Sequence, residues 1–324
     1  MMYRALIIGI DAYEDAPLSG CVNDAERIAC ALSNNDDGSA NFDCHVHLGR
    51  APGEILTPFL HDEVTALFAS PAEAALLFFA GHGTFDTLDG YLVTQDAPGY
   101  DMFAMQKIFQ HAAQAAHVKE ATLILDCCYG GHLGNAPGRP TLQPEATLRE
   151  GLSVLTASRA TETSAETNGG GLFTSLVVAA LDGGAADIVG NVTVPSIYSY
   201  VDQAMSAWDQ RPLMKSNVAR LSPLRRCWPS VTIAELKKLP EWFPTSDYVF
   251  PLNPSFEPSE EPKGHPNEKI FAVLQKCRDA RLIVPVEADH LYYAAVNSKA
   301  CRLTPSGRFY WQLGARRACW QWVC

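Results

Sequence analysis

The sequence predicts an α/β protein: a mainly parallel sheet covered on both faces by helices, followed by a small, mostly helical C-terminal module. Three observations carry this. Short apolar runs alternate with amphipathic stretches over about the first 220 residues. Two of those runs, in LLFFAGHGTFD (76–86) and ATLILDCCYGG (121–131), stop at chemically capable residues beside glycine. A proline-rich, acidic stretch at 251–266 then breaks the pattern, and a new helical periodicity follows it.

The elements follow in order. RALIIGI (4–10) reads as a buried strand, and NDAERIACALS (23–33) as a helix with Asn23 as cap and Glu26 closing a capping box. DCHVHLG (43–49) alternates with period two and reads as a strand; GEILTPFLHDEVTALFA (53–69) is amphipathic helix. AALLFFA (74–80), TLILD (122–126) and GLSVLTAS (151–158) are further strands. MFAMQKIFQHAAQAA (102–116), LFTSLVVAALDG (172–183) and SIYSYVDQAMSAW (196–208) are further helices. Residues 130–151 carry glycine, proline and two arginines without periodicity and read as a long loop. Beyond the proline-rich stretch, Ile270, Val273, Leu274 and Cys277 form a helical stripe, EADHLYYAAVN (287–297) reads as a second helix, and Thr304 and Pro305 open a third.

Composition narrows the class. With 47% apolar and 19% charged residues the chain reads as globular, and its net charge of −11 argues against a nucleic-acid partner or an acidic membrane. No segment reaches the roughly 18 apolar residues of a membrane helix, and no cleavage site follows the first apolar run. The ten cysteines include one adjacent pair and no CxxC, so zinc spacing is absent and free thiols in the cytoplasm are expected.

In an open parallel sheet, ligands are handled beyond the carboxyl ends of the strands. His82 and Cys128 both stand there. If their strands are neighbours, they form a thiol nucleophile with its base, and the N–H groups of Gly83 and Cys128 can face a developing oxyanion. His132 is a rival base, set in the loop rather than at a strand end. Cys127, by strand alternation, points into the core.

LLFFAGHG and ATLILDCCYGG resemble the His and Cys motifs of the caspase-like cysteine peptidases, and within them the metacaspases and their bacterial relatives. RALIIGIDAY, LSGCVNDAERI, VLTASRATETSAE and GGGLFTSLVVAAL follow in family order, so the resemblance covers about residues 3–220. It implies a caspase-like αβα sandwich over 1–228, with a large-subunit part to about 135, the loop at 130–151 and a small-subunit part from about 151. A connecting segment (229–266) and a C-terminal sensing or partner module (267–324) lie outside it. The family's Asp-x-Cys pattern makes Cys128 the nucleophile. The resemblance further implies that Asp24 and Asp126 line a pocket for Arg or Lys before the cut, with Cys21 and Ala80 as walls; many metacaspases have serine where this chain has Ala80. An acid in a first helical turn is equally stabilised by the helix dipole alone, for Asp24 and Asp126 alike. Arg139 and Arg149 match that specificity as self-cleavage sites. Some metacaspases use calcium; Asp86, Asp89, Asp96 and Asp101 match no EF-hand spacing, and the expectation is no cofactor.

The tail weakly resembles a winged-helix module, with Tyr292, Tyr293, Phe309, Tyr310, Trp311, Trp320 and Trp322 suited to a partner surface, a stacked small ligand or plain core packing. By analogy with bacterial caspase-like proteins, an activating ligand or partner protein engages it in a stress, cell-death or antiphage pathway. A catalytically silent scaffold that recruits a partner is the alternative, and a DNA-binding regulator a third.

Overall fold

The computed structural model describes residues 2–85, 90–96, 102–127, 149–157, 166–167, 170–205 and 211–315. They form two compact units: residues 1–186 with 191–227, and residues 187–190 with 228–324.

The first unit runs β1 (Tyr3–Ile10), α1 (Cys21–Ser33), β2 (Asp43–Gly49), α2 (Thr57–Ala69), β3 (Ala72–Ala80), β4 (Gly83–Phe85), β5 (Gly90–Leu92), β6 (Phe103–Ala104), α3 (Met105–Gln114), β7 (Val118–Asp126), β8 (Leu152–Thr156), β9 (Glu166–Thr167), β10 (Gly170–Gly171), α4 (Leu172–Ala179), β11 (Asn191–Val192), α5 (Val194–Met205), β12 (Leu213–Asn217) and β13 (Arg225–Arg226). Its main sheet has the order β12-β8-β7-β3-β1-β2, parallel except for β12. Strands buried on both faces need apolar residues at every position, which is why β1 and β3 read as unbroken apolar runs. Leu6, Ile8, Leu77, Phe79, Leu123 and Leu125 face one core, with α2 and α3. Ala5, Ile7, Leu76, Phe78 and Ile124 face the other, with α1, α4 and α5.

One contact sets where the site stands. A Cβ added at Gly9 would lie 2.2 Å from the Cys21 carbonyl and 2.8 Å from Ala25 Cβ. Helix α1 therefore packs directly on the β1 backbone, and its first turn sits over the carboxyl end of the sheet. Ile28 and Leu32 hold it there, each fully buried and each contributing about 1.5–3 kcal/mol.

Helix α1 begins three residues earlier than the Asn23 cap implies. Its first N–H groups, those of Cys21 and Val22, donate to Asp11 Oδ1 at 2.8 and 3.3 Å. The cap thus comes from the end of β1 and not from the helix's own sequence. Edge strand β12 has no counterpart among the expected elements, because LMKSN is short and half polar.

The second unit corrects the linker reading. Residues 229–266 contain α6 (Ile233–Leu236), α7 (Leu239–Trp242) and β14 (Val249–Pro251), and Leu236, Leu239, Phe243, Leu252 and Phe256 are buried in the unit's own core. A full capping box between Thr232 and Glu235 starts α6. The module is also less helical than expected. Between α8 (Asn267–Asp279), α9 (Leu291–Val296) and α10 (Pro305–Ala315) run β15 (Ile283–Val286) and β16 (Ala300–Leu303). With β14 they make a three-stranded antiparallel sheet in which β16 is central. Thr304 opens α10 as expected: its hydroxyl accepts from Gly307 N–H at 3.0 Å. Among the described residues no helix is long and apolar enough to cross a membrane.

Candidate active site

The strands ending at the two motifs are neighbours. Strands β3 and β7 pair in parallel with Ala80 opposite Asp126, and Gly81 N–H donates to the Asp126 carbonyl at 3.2 Å. His82 follows two residues after Ala80. Cys128, two residues after Asp126, lies outside the described residues, as do His132 and Arg139. Cys127 is 2% exposed and belongs to the core on the α2–α3 side, as strand alternation requires.

His82 is oriented from two sides. Its Nε2 lies 2.7 Å from the Ala16 carbonyl. A carbonyl only accepts, so Nε2 carries the proton and Nδ1 is left to accept one. Its backbone N–H donates to the Tyr13 hydroxyl at 3.0 Å, and the Tyr13 ring packs on the imidazole with centroids 4.6 Å apart. Val93 N–H donates to the His82 carbonyl at 3.0 Å, tying the residue to the small β4-β5-β6 sheet, which Gly83 opens.

Asp24 and Asp126 converge. Both are buried, at 2% and 7% exposure. Gly171 N–H donates to Asp24 Oδ2 at 2.7 Å, and the Thr174 hydroxyl donates to Asp126 Oδ2 at 2.6 Å. A methyl placed on Gly171 would lie 2.6 Å from Asp126 Oδ2 and 3.2 Å from Asp24 Oδ2; one on Gly170 would lie 2.5 Å from Asp24 Oδ1. The glycine pair therefore lies directly against both acids, at the start of α4. Burial, with Asp126 adding repulsion against the Gly171 hydrogen bond, pushes the Asp24 carboxyl up to about 6. Burial also raises Asp126, against the Thr174 hydroxyl. An internal cation partly offsets Asp24: Arg27 Nη1 is 3.4 Å from its Oδ1 and donates to Ser175 Oγ at 3.0 Å. Ala80 is buried on the α1–α4 face with Asp126's strand neighbours, and Cys21 is half-buried at the start of α1.

The other candidate residues fall elsewhere. Arg149 is anchored at the amino-terminal edge of the sheet, where Nη2 donates to the Val118 carbonyl at 2.9 Å. That is roughly 26 Å along β7 from Asp126. Asp96 accepts from Thr57 N–H and from the Thr94 hydroxyl, so it serves the start of α2; burial raises its carboxyl, but these hydrogen bonds win and hold it below the ordinary range. Asp86, Asp89 and Asp101 lie outside the described residues, and among the described ones no cluster of three metal-ligating side chains occurs. In the second unit Tyr293 and Phe309 are exposed, whereas Tyr310 and Trp311 pack on its core, with Trp311 Nε1 donating to the Phe243 carbonyl at 2.6 Å. Tyr292 is half-buried; Trp320 and Trp322 lie outside the described residues.

The caspase-domain sequence model matches residues 2–222. The chain belongs to the caspase-domain family. A search of the curated proteins found no match. Among solved structures, protein GSU0716 from Geobacter sulfurreducens is similar at 15% identity and a TM-score of 0.52, covering 71% of this chain and 98% of its own. Caspase-1 from Spodoptera frugiperda is similar at 14% identity and a TM-score of 0.51, covering 70% of this chain and 91% of its own. At such identities the two speak for the fold alone, and that fold is the caspase arrangement of a mainly parallel sheet between helices.

Sequence reasoning missed Asp11, Tyr13, Arg27 and Thr174. Asp11 and Tyr13 sit within the RALIIGIDAY motif, yet their roles depend on where the segment after β1 goes. Asp11 holds that segment: its carboxylate caps α1 and its carbonyl accepts from Tyr13 and Leu18 N–H. Replacing Asp11 by Ala is expected to cost about 1–2 kcal/mol, read as a lower Tm. It should also loosen the loop that carries Ala16 and so reduce peptidase activity.

Proposed function

We propose that the chain is a cysteine endopeptidase that cuts after Arg or Lys, with Cys128 as nucleophile and His82 as base. The observation that carries this is the pairing of β3 with β7, in register at Ala80 and Asp126, so that the strands leading into His82 and Cys128 are neighbours. His82 Nδ1 takes the Cys128 thiol proton, and the thiolate adds to the peptide carbonyl. The oxyanion is met by the N–H groups of Gly83 and Cys128. Nδ1 then gives its proton to the departing amine, and water hydrolyses the thioester. The Ala16 carbonyl supports the imidazolium formed in between by accepting from Nε2–H.

Specificity rests on the two carboxylates. A buried pair of acids of raised proton affinity is stabilised by a cation that reaches both, and a guanidinium fits such a pair through several donors. Gating is supported by the same geometry. Gly171 lies against both acids and Gly170 against Asp24, so a substrate side chain approaching from that side requires the pair to move. A ligand or partner engaging the second unit would act by favouring the opened state, which it must bind more tightly than the closed one. Self-cleavage, if it accompanies activation, fits Arg139; a cut after Arg149 must first break its contacts with the edge of β7.

The test is a fluorogenic peptide panel with Arg, Lys, Asp or Leu before the cut, run on the full chain with and without calcium. Cleavage after Arg and Lys, and not after Asp, is expected. Cleavage after Asp alone would refute the pocket assignment. No cleavage of any peptide by a folded chain would favour the scaffold reading.

A further inference from the structure

We propose that Tyr13 is a positioning residue for the His82 base, and that Gly81 is glycine because the Tyr13 hydroxyl occupies the space its side chain would take. The inference rests on the peptidase reading and deepens it. The Tyr13 hydroxyl accepts from His82 N–H and donates to the Val93 carbonyl, each at 3.0 Å. One hydroxyl thereby joins the end of β3 to the end of β5, across 69 and 80 residues of sequence. The ring of the same residue packs on the imidazole at 4.6 Å and 53°. Main chain and side chain of His82 are thus fixed by one buried phenol. Tyr13 is 8% exposed, and burial holds its phenol far above the ordinary range, so it stays neutral and keeps its proton for Val93.

Gly81 completes the arrangement. A Cβ there would stand 2.5 Å from the Tyr13 hydroxyl and 3.0 Å from the Phe79 ring. The first glycine of Gly-His-Gly leaves room for the phenol. The loop after β1 consequently holds the base at three atoms: the Ala16 carbonyl at Nε2, the Tyr13 hydroxyl at the backbone N–H, and the Tyr13 ring at the imidazole face. Ordering of this loop is then a requirement for an aligned dyad.

Tyr13→Phe keeps the ring and removes only the hydroxyl. It is expected to lower kcat by about tenfold to a hundredfold, as a misplaced catalytic group does, with KM for an Arg peptide within about twofold. The acid limb of kcat/KM is expected to move to higher pH, because a loosened imidazole pairs less well with the thiolate. Gly81→Ala, which leaves Tyr13 in place but pushes its hydroxyl away, should give the same split and the same shift. A purely structural tyrosine would lower Tm without moving the pH profile. Wild-type kcat and an unmoved profile in folded Tyr13→Phe would overturn the role while leaving the peptidase reading intact. A wild-type chain that cleaves no peptide overturns both.

Discussion

Cys128→Ala and His82→Ala are each expected to abolish peptide cleavage, by at least about a thousandfold in kcat, while Cys127→Ala retains most of it. A nucleophile and its base act as a unit, so losing either one removes nearly the whole advantage. Cys127 differs from Cys128 in its surroundings. It is buried among apolar residues on the α2–α3 side, where a thiol is inert and behaves as a small hydrophobe. Removing its sulfur leaves a small cavity, so the expected effect is a modest loss of Tm and little change in kcat/KM. The decisive comparison is therefore between adjacent cysteines in one protein, assayed with the same Arg peptide. An active Cys128→Ala beside a folded but dead Cys127→Ala would reverse the assignment and require a different register at the end of β7.

The sequence makes this pair visible because both strands are buried on both faces. β3 is apolar from Ala74 to Ala80, and β7 from Ala121 to Leu125 but for the buried Thr122; the next polar side chains are Asp126 at the end of β7 and His82, after Gly81, just beyond β3. That Asp126 is itself buried is legible only from the family pattern, since nothing local distinguishes it from a helix cap. Tyr13 is illegible for a different reason: its partners, His82 and Val93, are brought to it by the sheet and by β5, not by spacing. Residues 229–266 mislead through proline. Those prolines punctuate short helices and an edge strand whose buried residues, from Leu236 to Phe256, follow neither helical nor strand period for long enough to be read. Likewise β12 escapes because an edge strand is half exposed and need not be apolar.

Asp24→Asn and Asp126→Asn are expected to make the caspase-domain unit more stable and the peptidase inactive on Arg and Lys peptides. The stability half follows from linkage. Asp24 has a carboxyl pKa of about 6 in the fold, above its ordinary value of 3.8. Its protonated form is therefore the one the fold prefers. The stability this supplies is fully present below about pH 4 and is lost as pH rises through about 6. A shift of this size corresponds to about 3 kcal/mol at neutral pH. Asn recovers part of it, because its side-chain oxygen can still accept from Gly171 N–H while the Arg27 contact weakens. A gain of about 1–3 kcal/mol, or about 2–12 °C in Tm, is expected at pH 7.5, shrinking to nearly nothing near pH 4. Asp126→Asn should behave alike in direction, since burial raises its carboxyl too and the Thr174 hydroxyl can donate to an amide oxygen equally well. The activity half follows from the pocket. An amide offers no charge to a guanidinium, so kcat/KM for Arg and Lys peptides should fall at least about a hundredfold. Thermal unfolding across pH 4–8, paired with the peptide assay, separates the two accounts of these acids. If they only serve the start of α4, the Asn variants keep their cleavage of Arg peptides, and the pocket assignment falls. If they are held in the fold for a cationic substrate, the variants gain stability above pH 6 and lose activity together. Two buried acids kept against one pair of glycines, at a cost to the fold that two amides would avoid, then have their reason in the reaction.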